Sequence, residues 1–194
     1  MIGNLSKLER NLGFKLRENS FCLAIDTATK SGIAAVWILK NRVSIKTDIM
    51  KLPAISKDLE DKAEKYEAHL RAFVEIIDSQ LWPSYIPADK NKRDLLVLEN
   101  SFLKMNVVTF GFLRALQGIL YAKLGKEFKE VKIIFPTTAR KMVGFESQLP
   151  RGTKPKDKKK EIMKWIGNVV EETITDDNIA DALLLAFAGL KELK

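Results

Sequence analysis

The chain has 194 residues, 46% of them hydrophobic, and carries 33 Lys and Arg against 25 Asp and Glu, a net charge of +8. This length fits one domain with a proper core and leaves no room for a second large one. No window approaches about 18 uninterrupted apolar residues, so we predict a soluble, cytoplasmic protein with no membrane partner. One Cys and one His exclude a disulfide framework and a Cys/His zinc site. The positive charge favours a polyanionic partner, although solubility alone accounts for it equally well.

The first twenty residues precede the first strong strand pattern. Apolar residues recur here at helical spacing with basic residues between them, which predicts a short amphipathic helix. These apolar residues are Ile2, Leu5, Leu8 and Leu12. We expect them to pack on the domain or on a partner subunit. The chain is accordingly divided into a helical N-terminal extension, residues 1–19, and one larger folded domain, residues 20–194.

Apolar runs predict five strands, and longer amphipathic stretches predict helices between and after them. The strands span residues 21–26, 32–39, 42–48, 94–99 and 131–135. The longer helices span residues 56–80, 106–124, 157–170 and 182–190. Short turns join the first three strands, which are therefore expected to be antiparallel, whereas helices separate the last two. The order predicts an α/β fold with a mixed five-stranded sheet, three strands antiparallel and two parallel, flanked by helices.

Acidic residues follow apolar elements at three places. In FCLAIDTATKSGIAAV, residues 21–36, Asp26 ends the first strand, and in LLVLE a second strand ends in Glu99. Near the C-terminus DDNIAD, residues 176–181, opens an apolar helix. Asp26 alone is either a turn cap or a ligand. Four oxygen-bearing side chains brought to one point would be costly to bury without cations, and oxygen-only ligands suit Mg²⁺.

The stretches IDTATKSG, LVLENSF and DDNIADALLLA, in this order, resemble the RuvC family of Holliday-junction resolvases, within the retroviral-integrase-like RNase H superfold. The resemblance covers roughly residues 20–192. The family has an Asp on its first strand, a Glu on its fourth strand with an aromatic residue three positions later, and a last Asp on a C-terminal helix. The residues at those positions here are Asp26, Glu99, Phe102 and Asp181. The N-terminal extension departs from the pattern, because the family's first strand starts close to the initiator Met.

The family's penultimate acid or His also differs. It lies three residues before the last Asp, where this chain has Asn178, and Asp177 lies four residues before. Both positions share a helix face with Asp181. Asn178 could reach a metal through its amide oxygen and Asp177 through a full carboxylate. We favour Asp177 on charge grounds.

The resemblance implies a structure-selective endodeoxyribonuclease that resolves four-way (Holliday) DNA junctions in recombination and repair and acts as a homodimer. Two Mg²⁺ ions about 4 Å apart, for which Mn²⁺ can substitute, would activate the attacking water and stabilise the leaving 3′ oxygen. Asp26 would bridge both ions. Glu99 and one helix acid would hold one ion, and Asp181 the other.

A basic run and one aromatic residue are the candidate DNA contacts. The run consists of Lys154, Lys156, Lys158, Lys159 and Lys160. Such a run is usually a solvated surface, but it resembles the family segment in which a lysine contacts the scissile phosphate, and we assign that role to Lys159. The other lysines would bind flanking phosphates. Phe102 would stack on bases at the junction, or would be an ordinary core residue.

Other functions stay open at this point. The same fold and chemistry could act on other branched DNA or on RNA–DNA hybrids. LAIDTAT also looks like the opening of TsaB-type proteins, which are non-nucleases of the actin/hexokinase-like superfold, but this chain lacks their Gly-rich segment resembling GPGSFTGLR. A catalytically inactive dimerisation module is a third possibility, against which the intact acids argue. Two surfaces are candidates for a dimer: Gly111, Ala115 and Gly118 on one helix, and the leucines of the N-terminal extension.

Overall fold

The computed structural model describes residues 2–53, 62–101, 107–145 and 155–193. Within these ranges the chain forms one mixed sheet with helices on both faces. The strands are β1 (Ile2–Asn4), β2 (Ser20–Asp26), β3 (Lys30–Leu39), β4 (Arg42–Lys51), β5 (Leu95–Glu99) and β6 (Glu130–Ile134). The helices are α1 (Leu5–Leu12), α2 (Lys62–Ile76), α3 (Trp82–Tyr85), α4 (Val107–Leu124), α5 (Pro136–Met142), α6 (Pro155–Val170) and α7 (Asp177–Glu192). A π-helical turn, Ile77–Leu81, continues α2.

The strand order is β1-β4-β3-β2-β5-β6. β2, β3 and β4 pair in antiparallel fashion, while β5 and β6 run parallel to β2. The predicted α/β class with a mixed sheet is confirmed. The predicted count of five strands is wrong by one, because Ile2–Asn4 forms an edge strand against β4. Three residues are too few for the alternation that identifies a strand in a sequence.

The N-terminal extension packs into the same core as the sheet. Its helix begins at Leu5, after Asn4, whose side chain accepts a hydrogen bond from the Lys7 backbone, and it ends at Gly13 in the left-handed conformation. The leucines of the stripe are all buried: Leu5, Leu8 and Leu12, with Leu16 after them. Of the two positions expected for these leucines, the structure has the one on the chain's own domain, so they are not available to a partner subunit.

Alternate residues of the central strands face two different helical layers, as the period of two in a strand requires. Cys22 and Ala24 of β2 face the layer that contains α7, whereas Leu23 and Ile25 face the layer of α2 and α4. All four are fully buried. Every side chain at the end of β2 or β5 is therefore assigned to one layer by its position in the strand.

α7 lies directly on the sheet because Gly32 of β3 has no side chain. A Cβ atom at Gly32 would overlap the backbone carbonyl of Asn178 and would stand 3.0 Å from the backbone nitrogen of Ile179. The first turn of α7 thus sits against the backbone of β3. Most residues of the helix after this turn are buried, from Ala180 to Leu190.

α4 covers the opposite face of the sheet. With the turn that follows, Val107–Glu127, it is long and apolar enough to cross a membrane by length and composition. A helix that covers the sheet of a globular domain passes the same test, so this is weak evidence for a membrane span. Phe112, Leu116 and Leu120 are buried against the sheet, while Val107 and Tyr121 are 73% and 54% exposed. The outer face of α4 is therefore a partly apolar surface.

Candidate active site

Asp26 and Glu99 are neighbours at the carboxyl ends of two parallel strands. The register of β2 and β5 pairs Ile25 with Leu98, and the two acids occupy the next position. Both continue the alternation that points toward α7, after Cys22 and Ala24 in β2 and after Val97 in β5. The two carboxyl groups lie close enough to interact, and the hydrogen bond and negative charge of Glu99 raise the pKa of Asp26. The strand periodicity and the register together produce this pair.

The first two turns of α7 bring two more acids near Asp26 and Glu99. Asp176 caps the helix by accepting a hydrogen bond from the backbone nitrogen of Asn178 at 3.0 Å. Asp177 and Asp181, one turn apart, both interact electrostatically with Asp26. The side chain of Asn178 instead donates to Asp176 at 2.9 Å. In this arrangement Asp177 belongs to the acidic cluster, and the amide of Asn178 belongs to the helix cap.

Two basic side chains pair with the helix acids. Arg140 of α5 donates from Nη2 to Oδ1 of Asp181 at 3.3 Å, and Lys159 of α6 forms an ion pair with Asp177. Arg140 was not among the residues predicted from the sequence. Its position offered a signal, since it lies four residues after Pro136, which ends a parallel strand, and the carboxyl ends of parallel strands line the binding edge of such sheets.

Burial and mutual repulsion dominate the electrostatics of the cluster. Desolvation raises the pKa of Asp26 well above its ordinary value, and the hydrogen bond and negative charge of Glu99 raise it further. Burial also raises the pKa values of Glu99 and Asp181, although Arg140 opposes the shift at Asp181. The hydrogen bond with Asp177 raises the pKa of Lys159. Arg140 and Lys159 offset part of the buried negative charge.

The donor set of this cluster fits Mg²⁺. The four acids are near one another, but no three or more acidic, His or Cys side chains among the described residues are close enough together to hold a metal ion by themselves. Mg²⁺ does not need such a cage, since it keeps several waters and binds one or two carboxylates together with substrate phosphates. Beside Asp26 the buried hydroxyl of Thr27 has no hydrogen-bond partner in the described part of the chain, and neither does Nε of Arg140.

A second set of polar contacts holds the chain where it leaves β5. Gln117 of α4 is buried and donates to the backbone carbonyl of Glu99 at 2.5 Å. Arg114 donates to Oδ1 of Asn100 at 2.9 Å and also bonds Gln117. The backbone nitrogen of Asn100 donates to Ile134 at 2.9 Å. The exit of β5 is thus fixed from both sides.

The predicted DNA contacts are only partly described. Phe102 and Lys154 lie outside the described residues, and of Lys156 only the backbone, in the first turn of α6, is described. Lys158 is half-buried, whereas Lys159 and Lys160 are exposed. Through its ion pair with Asp177, Lys159 lies at the acidic cluster. The roles of all these residues stay predictions.

No family model and no curated protein matches this sequence. Solved structures do match. T. thermophilus RuvC in complex with a Holliday junction substrate is 13% identical, with 87% of this chain and 91% of that chain covered and a TM-score of 0.55. The yeast mitochondrial Holliday junction resolvase Ydc2 is also 13% identical, with 95% and 83% covered and a TM-score of 0.56. Another Thermus thermophilus RuvC structure is 12% identical with a TM-score of 0.55.

These likenesses establish the fold. The chain has a RuvC-like fold, and the predicted resemblance is confirmed at that level. Because a fold hosts many chemistries, the activity has to be inferred from the site.

Proposed function

We propose that this protein is a metal-dependent endonuclease that resolves four-way DNA junctions. The observation that carries the proposal is the convergence of four acidic side chains from β2, β5 and α7 at the edge of a RuvC-like sheet, with two basic side chains paired to them. Neither the rest of the core nor a helix cap needs such a cluster. The RuvC structure described above is bound to a Holliday junction substrate, and the net charge of +8 suits a polyanionic substrate.

Mg²⁺ is the proposed cofactor, with Mn²⁺ as a substitute. Asp26, Glu99, Asp177 and Asp181 would hold two ions between them. When bound, the ions would supply an activated water and stabilisation of the leaving oxygen. The raised pKa of Asp26 supports the proposal, because a divalent cation would offset the burial and the repulsion between acids that raise it.

Arg140 and Lys159 would act on the phosphate. Each now neutralises one helix acid, and each would be released toward a phosphate oxygen once cations occupy the acids. Arg140 is held in a half-buried position, where its planar guanidinium can bind two oxygens. Lys159 is more exposed and provides a mobile point charge. Both would stabilise negative charge that develops on the scissile phosphate.

The test is nicking of a synthetic four-way junction, compared with a linear duplex of the same sequence. We expect cleavage that requires Mg²⁺ or Mn²⁺ and that favours the junction. Asp177→Asn should cost far more activity than Asn178→Ala, because the Asn178 side chain is engaged in the cap. Cleavage without added metal, or equal cleavage of both substrates, would contradict the proposal.

Two other functions remain distinguishable in the same assay. Faster cleavage of flaps or RNA–DNA hybrids than of the junction would indicate a nuclease with the same metal-dependent chemistry and a different substrate. Absence of cleavage on every nucleic acid, together with nucleotide binding, would indicate a non-nuclease of the actin/hexokinase-like class. That class gives no reason for the pairing of Glu99 with Asp26.

A homodimer is part of the proposal, because selective cleavage of a two-fold symmetric junction requires two sites at a fixed separation. The outer face of α4 is the remaining candidate surface. Cβ atoms at Gly111 and Gly118 would meet no described atom within 4 Å, and Val107 and Tyr121 on the same helix are mostly exposed. A second copy of this helix could approach closely along this face.

We expect a stable dimer of about 44 kDa, twice the chain mass of 22.0 kDa, in light scattering at micromolar concentration. Gly118→Arg should yield monomers, because a bulky charge would separate the two backbones. Leu39→Arg, at an exposed apolar residue at the end of β3, is the control and should stay dimeric. A wild-type chain that stays monomeric with and without junction DNA would contradict the dimer.

A further inference from the structure

The turn between β2 and β3 follows Asp26 and leads to Lys30, the first residue of β3. Asp26 pairs with Gly32 across β2 and β3, and the turn between them is tied by Ser31, whose hydroxyl donates to the carbonyl of Ala28 at 2.7 Å and accepts from a backbone nitrogen at 3.1 Å. Ser31 is fully buried. Lys30 therefore starts a strand that is firmly anchored.

Lys30 and Gly32 lie on the same face of β3, two residues apart, and this face supports α7. Gly32 admits the first turn of the helix against the strand backbone. Lys30 forms an ion pair with Asp176, the residue that caps α7. One strand thus contacts the start of α7 at two points, through a bare backbone and through a charged pair.

From these contacts we infer that Lys30 is a positioning residue, which orients the first turn of α7 so that Asp177 and Asp181 face Asp26. The inference rests on the proposed metal-dependent function. Lys30 acts through Asp176, whose carboxylate is shared between the lysine, the helix backbone and the side chain of Asn178. The Lys30–Asp176 ion pair thus links the hairpin that carries Asp26 to the helix that carries Asp177 and Asp181, and this link does not need a bound cation.

The effect of losing Lys30 on metal affinity distinguishes a positioning role from a purely electrostatic one, because the two roles predict opposite changes in that affinity. Removing a positive charge beside an acidic cluster should tighten cation binding if only long-range charge matters. If Lys30 positions the acids, its loss should weaken cation binding, and outer contacts of this kind are worth about 10–100-fold in metal affinity. The sign of the change is therefore decisive.

The experiment measures Mn²⁺ binding by calorimetry, without DNA, on the full chain. We expect Lys30→Met to weaken Mn²⁺ binding about 10-fold and Lys30→Arg to restore it. Asp176→Asn keeps a capping oxygen and should weaken binding similarly, and the double variant should be no weaker than either single one. Lys123→Met, which breaks the remote Lys123–Asp78 pair, is the matched control and should bind as wild type does.

Thermal unfolding in EDTA accompanies each measurement, and Lys30→Met is expected to melt close to wild type. Unchanged or tighter Mn²⁺ binding by Lys30→Met overturns the inference while leaving the proposed function intact. Normal Mn²⁺ binding combined with weakened junction binding and a reduced salt dependence identifies Lys30 as a phosphate contact and also overturns it. A wild-type chain that binds no Mn²⁺ overturns both this inference and the proposed function.

Discussion

Asp26→Asn is expected to abolish junction cleavage while leaving junction binding near the wild-type level. The substitution removes one carboxylate from the centre of the cluster, where Asp26 interacts with Glu99, Asp177 and Asp181, and no proposed phosphate contact. Because outer contacts of a metal site already cost about 10–100-fold, loss of a direct ligand should cost more than about 100-fold. Glu99→Gln and Asp181→Asn should behave alike.

Single-turnover cleavage and junction binding at matched salt concentration check this expectation. Asp78→Asn is the control, since it neutralises an acid that is half exposed and pairs with Lys123 away from the cluster. Weak binding by all three cluster variants, with lowered melting temperatures, would instead assign these acids a role in folding. Full activity of Asp26→Asn would exclude the proposed site.

The same variant should stabilise the metal-free protein. The pKa of Asp26 is raised in the folded chain, chiefly by burial, above the value of about 4 that it has when unfolded. Its contribution to stability is therefore complete below about pH 4 and is lost as the pH rises through the raised folded pKa. In EDTA at about pH 8, Asp26→Asn should melt higher than wild type, by about 2–4 °C per kcal/mol of relieved repulsion, and the difference should vanish toward pH 4. Added Mg²⁺ should stabilise wild type more than the variant.

Gly32→Ala is expected to be the most destabilising single-methyl change at the site. The added Cβ would overlap the carbonyl of Asn178 and press on the nitrogen of Ile179. Both obstacles are backbone atoms, so no side-chain rotation relieves the overlap, and α7 would have to move off β3. Overpacking of this kind typically costs about 1–3 kcal/mol and occasionally more, and we expect about 3 kcal/mol or more here.

Chemical denaturation compares the free energies of unfolding of Gly32→Ala and Gly3→Ala with that of the wild type. A Cβ atom at Gly3 would meet nothing within 4 Å, so its effect should stay within about 0.5 kcal/mol, as for ordinary surface changes. Gly32→Ala should also lose cleavage, since displacement of α7 carries Asp177 and Asp181 away from the strands. Equal stability of the two variants would show that α7 does not rest on β3.

Sequence patterns predicted the features of this structure that depend on residues close together in the chain. Short apolar runs, each ending in an acid, predicted β2 and β5, and the register of the two strands then brings Asp26 beside Glu99. Lys159 forms an ion pair with Asp177, and its contact with the scissile phosphate stays a prediction. Helices 106–124 and 157–170 agree with α4 and α6 to within two residues. These features depend on neighbouring residues, for which a sequence pattern carries direct information.

The contacts that sequence reasoning missed join distant parts of the chain. Arg140 meets Asp181 across 41 residues, and Lys30 meets Asp176 across 146. An isolated Arg or Lys has no periodicity that would mark it, because only the packed sheet edge brings its partner close. β1 was not predicted for a related reason: its three residues form a strand only because they pair with β4.

α7 both covers the sheet and supplies half of the acids. Its buried run from Ala180 to Leu190 completes one layer of the core, and its first two turns hold Asp177 and Asp181. Asp26 and Glu99 precede α7 along the chain, so the four acids come together only when α7 packs on the sheet. A chain in which α7 has not packed on the sheet lacks one layer of its core and two acids of the proposed active site, so stability and the proposed activity depend on the same contact.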